Sequence, residues 1–498
     1  MHKQLLSLIV WTPILLGVLT LALNRIKWFS RYIDSIALLG AFVSFVAPIL
    51  LYLNFDSSIG TMQFVENVPW ILTIHANYHL GVDGISMLLV LLNSFITFAV
   101  ILANWRTTLN RPSQYLAAFL IMSGFINGAF VALDMLLFYV FFEAMLIPMY
   151  LIIGVWGGPQ RVYAALKFFL YTLLGSLLLL VAIIYLYQQA KASFDLLTLQ
   201  SLAIPPAIQL LLFAAFFLSF AVKVPMWPFH TWLPDAHVEA PTGGSMILAA
   251  ITLKIGAYGF LRFALPILPD ASYILSPFII ILSLVAVIYV GLVALVQVDM
   301  KKLVAYSSIS HMGLVTLGLF LFSDGYLNKW ALEGALIQMI SHGFISAALF
   351  MCIGILYDRV HSRQIKDYGG VANKMPVLAS FLMFFAMANV ALPGTSGFVG
   401  ELMIIIGATQ TNFWIGFLAG LTLVLSAAYT LWMYKRVIFG EAIHSHMMTL
   451  KDINVRELLV LGLLALSILG VGLYPELLVS KIHPTMDQLI QHVGQHKF

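Results

Sequence analysis

The chain has 498 residues and a net charge of +4, with 61% hydrophobic and 9% charged side chains, against roughly 25% charged in soluble domains, so its solvent is lipid. A single cysteine, Cys352, excludes an internal disulfide and any iron–sulfur or zinc site ligated by this chain's cysteines alone. No G-x-G-x-x-G or Walker-type loop is present to hold a nucleotide, which leaves an ion gradient or partner subunits as the energy source for transport.

Along the chain, apolar runs recur that are long enough to cross about 30 Å of hydrocarbon, each needing roughly 20 helical residues. Breaker clusters separate about fourteen such runs, starting near residues 5, 33, 83, 114, 134, 163, 208, 243, 272, 303, 331, 376, 412 and 456. The predicted class is an all-α polytopic membrane protein forming a single membrane domain over 1–498. The first run has only Lys3 before it, with Arg25, Lys27 and Arg31 after it. That reverses the charge order of a secretory signal, and the run is read as a retained span. Longer connections fall near 55–80, 189–207, 356–375 and 439–455, with a tail after about 476, all too short for domains.

The 25 Lys and Arg residues divide unevenly between the two sides of this fourteen-span pattern. Seventeen flank one side, among them Arg25, Arg106, Arg161, Lys301, Lys302, Arg359, Arg363, Lys435 and Arg456. Lys3, Lys191, Arg262, Lys329, Lys481 and Lys497 are assigned to the other, and two lysines stay within the membrane. The positive-inside rule then places both termini away from the cytoplasm. The basic residues act as topological anchors, and the net charge calls for no nucleic-acid partner.

Chemistry is expected where topology leaves ionisable groups in the hydrocarbon, since each costs at least about 2.5–3.5 kcal/mol at a span's centre. Glu143, Lys223, Lys254 and Glu401 meet that condition. Glu143 lies nine residues into its span and Lys254 eleven, a depth of roughly 14–16 Å at 1.5 Å per residue. His311 and His342 reach a similar depth on other spans. Each has a bland alternative. Glu143 with Lys223 can be a static ion pair, and Lys254 and Glu401 can be structural. The histidines can bond a backbone carbonyl or the adjacent Ser310 and Ser341. Asp299, Lys301 and Lys302, at a span boundary, read first as interfacial anchors.

Proline supplies a second signal. Pro225 and Pro228 follow Lys223, and Pro393, Gly394 and Gly397 precede Glu401, so two helices are predicted to break beside buried charges. Broken helices at depth need protein or water around their freed carbonyls, and in transporters they mark ion sites. Two breaks five spans apart fit a five-helix unit used twice.

The stretches "HLGVDGISMLLVLL", "FYVFFEAMLIPMYLIIGVWGG", "KVPMWPFHTWLPDAHVEAPTGGSMILAAITLKIGAYG", "VDMKKLVAYSSISHMG" and "LPGTSGFVGE" together resemble the antiporter-like membrane subunits of respiratory complex I over essentially the full length. The glutamate at position 401, where N, L and Mrp-type subunits often carry lysine, makes the M-subunit branch of bacterial proton-translocating NADH:quinone oxidoreductase the closest resemblance. The resemblance implies fourteen helices with two inverted five-helix repeats, about 114–266 and 272–438, and flanking helices at both ends. It implies a bacterial inner membrane, membrane lipids and antiporter-like paralogues on both sides. NADH, FMN, iron–sulfur clusters and quinone belong to partner subunits, with none bound by this chain, so enzyme activity is expected only of the assembled translocase.

By the same resemblance Glu143 and Lys223 form a switching pair, Lys254 is the central lysine, His311 and His342 connect, and Glu401 is the exit-side group. At about 4 Å and an effective dielectric near 20 the pair attraction is roughly 4 kcal/mol, about three powers of ten in proton affinity. Opening the pair would drive a proton from Lys223 toward Lys254. A cation/proton antiporter or membrane-hydrogenase subunit would use the same row. A structural scaffold would use the charges only to join helices.

Overall fold

The computed structural model describes residues 4–107, 110–440 and 450–495. Lys3, Lys497 and most of the 439–455 connection lie outside the described residues. Several spans begin where a polar side chain caps the first turn, because the opening N–H groups of a helix have no partner within it. Asp83 accepts from the backbone N–H of Ile85 and Ser86, Asp134 from Leu136 and Leu137, and Asn412 from Trp414 and Ile415. Asn454 and Glu457 form a reciprocal capping box.

Among the described residues, twelve helices are long and apolar enough to cross a membrane. They are α1 (Leu5–Leu23), α2 (Ile33–Asn54), α3 (Gly84–Ala103), α4 (Pro112–Val131), α5 (Met135–Trp156), α6 (Arg161–Gln189), α7 (Pro206–Lys223), α9 (Thr242–Ile267), α10 (Pro269–Leu295), α12 (Lys329–Val360), α15 (Phe413–Ile438) and α16 (Val455–Leu473). Between them lie α8 (Trp232–Glu239), α11 (Met300–Leu319), α13 (Pro376–Asn389) and α14 (Ser396–Thr411), and α17 (Glu476–Gly494) closes the chain. Two of the fourteen expected runs fall short of that criterion. The run at 303 is α11, which has the length but carries Lys301, Lys302, His311 and several serines. The run at 376 is split into α13 and α14.

The connection read at 55–80 carries a β-hairpin, β1 (Gln63–Ile71) antiparallel to β2 (Ala76–Val82). It lies at the end of the bundle that holds Leu6, whose backbone N–H donates to Glu66, and α17, whose Thr485 accepts from Gly84 N–H. His79 Nδ1 sits 2.9 Å from Asp195 Oδ1 and ties the hairpin to the 189–207 connection.

Burial grades inward. The most apolar windows of α9 and α12 are wholly buried, whereas those of α2, α15 and α16 are one-third buried. Their outer faces expose leucine, valine and phenylalanine to lipid or neighbouring subunits. A chain that buries Lys254 and His342 must place them on its innermost helices, because water lies far from either.

Both expected breaks are present. After Lys223 the chain leaves α7, and the freed carbonyl of Val222 accepts from the indole Nε1 of Trp232 at 2.9 Å. In the second break Gly394 has φ +90°, a region that favours glycine. A Cβ on Gly397 would come within 2.5 Å of the Ala388 carbonyl oxygen, so the two half-helices approach closely there only because the residue is glycine. Helix α9 is irregular, with wide π turns at Leu248–Thr252 and Phe260–Ala264 on either side of the segment holding Lys254. Such bulges open i→i−4 bonding and are frequent at functional sites.

A buried polar row as the candidate functional site

Four of the six predicted site residues form one contiguous row across α9, α12, α11 and α14. Lys254 is fully buried. Its Nζ donates to the Ala249 carbonyl at 2.5 Å, an acceptor five residues back that lies in a π turn. The same nitrogen is 2.7 Å from His342 Nδ1. Either the ammonium donates to a neutral ring or the ring N–H donates to a neutral amine, so the contact accommodates the proton on both sides. The ring of His342 is 5.9 Å from that of His311, centroid to centroid, at 46°.

His311 Nδ1 is 2.7 Å from Glu401 Oε1, an ion-pair distance outside hydrogen-bond geometry, and His311 Nδ1 and the other carboxylate oxygen, Glu401 Oε2, have no hydrogen bond. Gln338 Nε2 donates to the same Glu401 oxygen at 2.9 Å, and the Tyr429 hydroxyl lies 3.3 Å from His311 Nε2. Lys254, His311, His342 and Glu401 are each at most 3% exposed. The histidine–serine contacts allowed by sequence do not form. Ser310 donates to the Val287 carbonyl and Ser341 to that of Ser396.

Glu143 and Lys223 are not brought into ion-pair contact. Lys223 Nζ lies 4.9 Å from the ring centroid of Phe142 and 5.9 Å from that of Phe168, and neither it nor Glu143 Oε1 has a hydrogen-bond partner. The aromatic faces offset part of the burial cost of an ammonium, and the Glu143 carboxylate is held by a hydrogen bond with Ser176 while still feeling the charge of Lys223. Asp299 caps α11 through the N–H groups of Lys301 and Lys302. Lys301 Nζ donates to the Ala240 carbonyl at the end of α8, where a cation meets the negative end of the helix dipole. These two residues brace the first break.

Several polar groups escaped the sequence reading. His237, fully buried on α8, stacks on Phe350 at 4.5 Å and 6°, and both its ring nitrogens are unpartnered. His230 Nδ1, within the break, is also unpartnered. The signal was two histidines seven residues apart directly after Pro228. Arg262, assigned to the less basic side, stands at the hairpin end of the bundle beside Asp83. It is 6% exposed inside α9, with Nη2 2.6 Å from Asp83 Oδ1 and 3.0 Å from Ser86 Oγ. At the end of the bundle near Ala240, a polar cavity of about 800 Å³ is lined by Glu239, Lys301, Asp358, Arg363 and Glu457.

The sequence profile of the family described as "NADH:quinone oxidoreductase/Mrp antiporter, TM" matches residues 132–426, which hold all six predicted site residues. NADH-quinone oxidoreductase subunit M of Rhodobacter capsulatus is 48% identical, the alignment covering 98% of this chain and 97% of that protein. NADH-ubiquinone oxidoreductase chain 4 of Marchantia polymorpha is 42% identical over 98% and 97%. Among solved structures, a chain of respiratory complex I from Thermus thermophilus with bound NADH superimposes with a TM-score of 0.89 at 30% identity, covering 98% of this chain and 99% of that one.

Proposed function

For a chain that belongs to the NADH-quinone oxidoreductase subunit M family, the antiporter-like membrane subunits of complex I, we propose that the buried row is a proton relay. The observation that carries this reading is the unbroken succession Lys254–His342–His311–Glu401, with heavy-atom contacts of 2.7 Å at both ends and two facing imidazoles between. Protons hop between groups that donate and accept in turn, and imidazole does both near neutral pH. A static scaffold would instead hold each charge in a fixed hydrogen bond, and the Lys223 ammonium has none.

In this mechanism the Glu143–Lys223 pair closes and opens. Opening releases a proton from Lys223 toward His230, His237 and Lys254, and the row passes it to Glu401. The polar cavity beside Glu239 and Lys301 is the entrance on the basic, cytoplasmic side. The termini and α17 lie on the non-cytoplasmic side of a bacterial inner membrane. The two broken helices belong to repeated five-helix units, about 114–266 and 272–438. NADH, FMN, iron–sulfur clusters and quinone act in partner subunits, paralogues flank this chain, and the driving energy reaches it through those neighbours.

The test is NADH-driven proton pumping in inverted vesicles carrying Lys254→Ala or Glu143→Gln, with assembly checked on a native gel and by artificial-acceptor activity. Lost pumping in an assembled complex is expected. Wild-type pumping from both variants would return the charges to a structural role.

A further inference from the structure

We propose that Glu333 and His483 form the proton-release site of this chain, where the relay meets water at the end of the bundle carrying α17. The inference rests on the relay reading and extends it past Glu401. Glu333 sits on α12, the helix that also holds Gln338 and His342, and its side chain is 5% exposed. A lone carboxylate so deep is costly, yet it has a partner. His483 Nδ1, on α17, is 2.8 Å from Glu333 Oε1.

His483 faces the other way as well. Its side chain is 48% exposed, and Nε2 lies 2.8 Å from Lys329 Nζ, which is itself 2.5 Å from Asp487 Oδ1. The pair therefore spans the boundary between protein interior and solvent, with the carboxylate inside and the imidazole at the surface.

The approach from Glu401 follows the seam between α12 and α14. These helices touch backbone to backbone. A Cβ on Gly400 would meet Gln338 N at 2.6 Å, and one on Gly334, beside Glu333, would meet Ile404 N at 2.9 Å. Gln338 is hydrogen-bonded to Glu401, and Glu333 lies five residues, about 7.5 Å of helix rise, nearer the α17 end. Along this path Glu401 Oε2 and Gln338 Oε1 are buried acceptors without a hydrogen bond. Two neighbouring unsatisfied acceptors are unusual in a packed interior and are the kind of site that binds bridging water.

The step balances as a proton transfer. The Glu401 carboxyl loses a proton and the Glu333 carboxylate gains one. Lys329 turns to Asp487, neutral His483 takes up its Nε2–H tautomer by exchange with water, and Glu333 hands its proton to Nδ1. The imidazolium then releases the Nε2 proton to bulk water. Glu333 and His483 return to their starting charge after each passage.

The experiment uses the whole complex in liposomes and measures protons translocated per NADH oxidised for Glu333→Gln, Glu333→Asp and His483→Gln, with Glu401→Gln as reference. Glutamine keeps the shape and can still bond the imidazole, so a purely structural Glu333 tolerates it. A proton carrier does not. The expected result is that Glu333→Gln and His483→Gln fall to the level of Glu401→Gln while Glu333→Asp recovers. Wild-type stoichiometry in Glu333→Gln alongside a defective Glu401→Gln overturns the release site and leaves the relay standing. Wild-type stoichiometry in all variants overturns the relay itself. Should Glu333→Gln fail to assemble, His483→Gln, at an exposed position, decides, and wild-type pumping there overturns the pair.

Discussion

Replacing His342 tests the row at its narrowest point. In His342→Ala, Lys254 Nζ keeps only the Ala249 carbonyl and loses the contact at 2.7 Å. A hydrogen bond to a charged group contributes about 1.5–3 kcal/mol, and its loss from the transfer step slows the step roughly 10- to 150-fold. The gap also widens, since His311 lies one ring further on at 5.9 Å. In His342→Gln the side-chain oxygen still accepts from the ammonium, so packing and assembly hold, but an amide does not take up and release a proton near neutral pH. Both variants are expected to assemble and to lose at least about tenfold in pumping rate, read as fluorescence-dye quenching in inverted vesicles with NADH as donor. Pumping by assembled His342→Gln at more than half the wild-type rate would refute conduction through this ring.

Gly256→Ala places a Cβ 2.8 Å from both Phe220 O and Val224 N, pushing α9 from the first break at an overpacking cost of about 1–3 kcal/mol, seen as a lower melting temperature of the purified complex. Arg262→Leu leaves Asp83 buried without its ion-pair partner and is expected to destabilise by about 3–5 kcal/mol. Adding Asp83→Asn, which removes the charge and keeps the cap of α3, should recover much of that loss, which a thermal-unfolding double-mutant cycle measures. Burial opposes ionisation of Asp195, yet its hydrogen bonds to His79 and Thr198 hold the carboxyl below the usual aspartate value of 3.8. Its stabilising contribution is thus complete above that value and fades as pH falls through the lower folded one. Hairpin amides at 63–82 should lose hydrogen-exchange protection below about pH 4, and Asp195→Asn should remove that dependence.

Span positions were readable because hydropathy is local. A run of apolar residues forms a helix in lipid whatever its neighbours do, and the caps at Asp83, Asp134 and Asn412 stand beside the runs they start. Pro225, Pro228 and Gly394 announced their breaks for the same reason, since proline and glycine act on the backbone next to them. The hairpin was hidden by its irregular pairing, with register shifts between Gln63 and Glu66 and between Pro69 and Ile71. The pairing of Arg262 was hidden because its partner Asp83 is 179 residues away.

From the sequence alone came the membrane class, the spans, the breaks and the candidate ionisable groups, each a property of a short stretch and its cost in hydrocarbon. Which of those groups meet was decided by tertiary packing. Lys254 and His342 are 88 residues apart and Gln338 and Glu401 are 63, and no local rule joins them. Closure of α9, α11, α12 and α14 set the row in contact and left Glu143 apart from Lys223. It also laid α17 over the end of α12, bringing His483 to Glu333, while close backbone approach at Gly334 and Gly400, the means by which helices in lipid gain their partners, set α12 against α14.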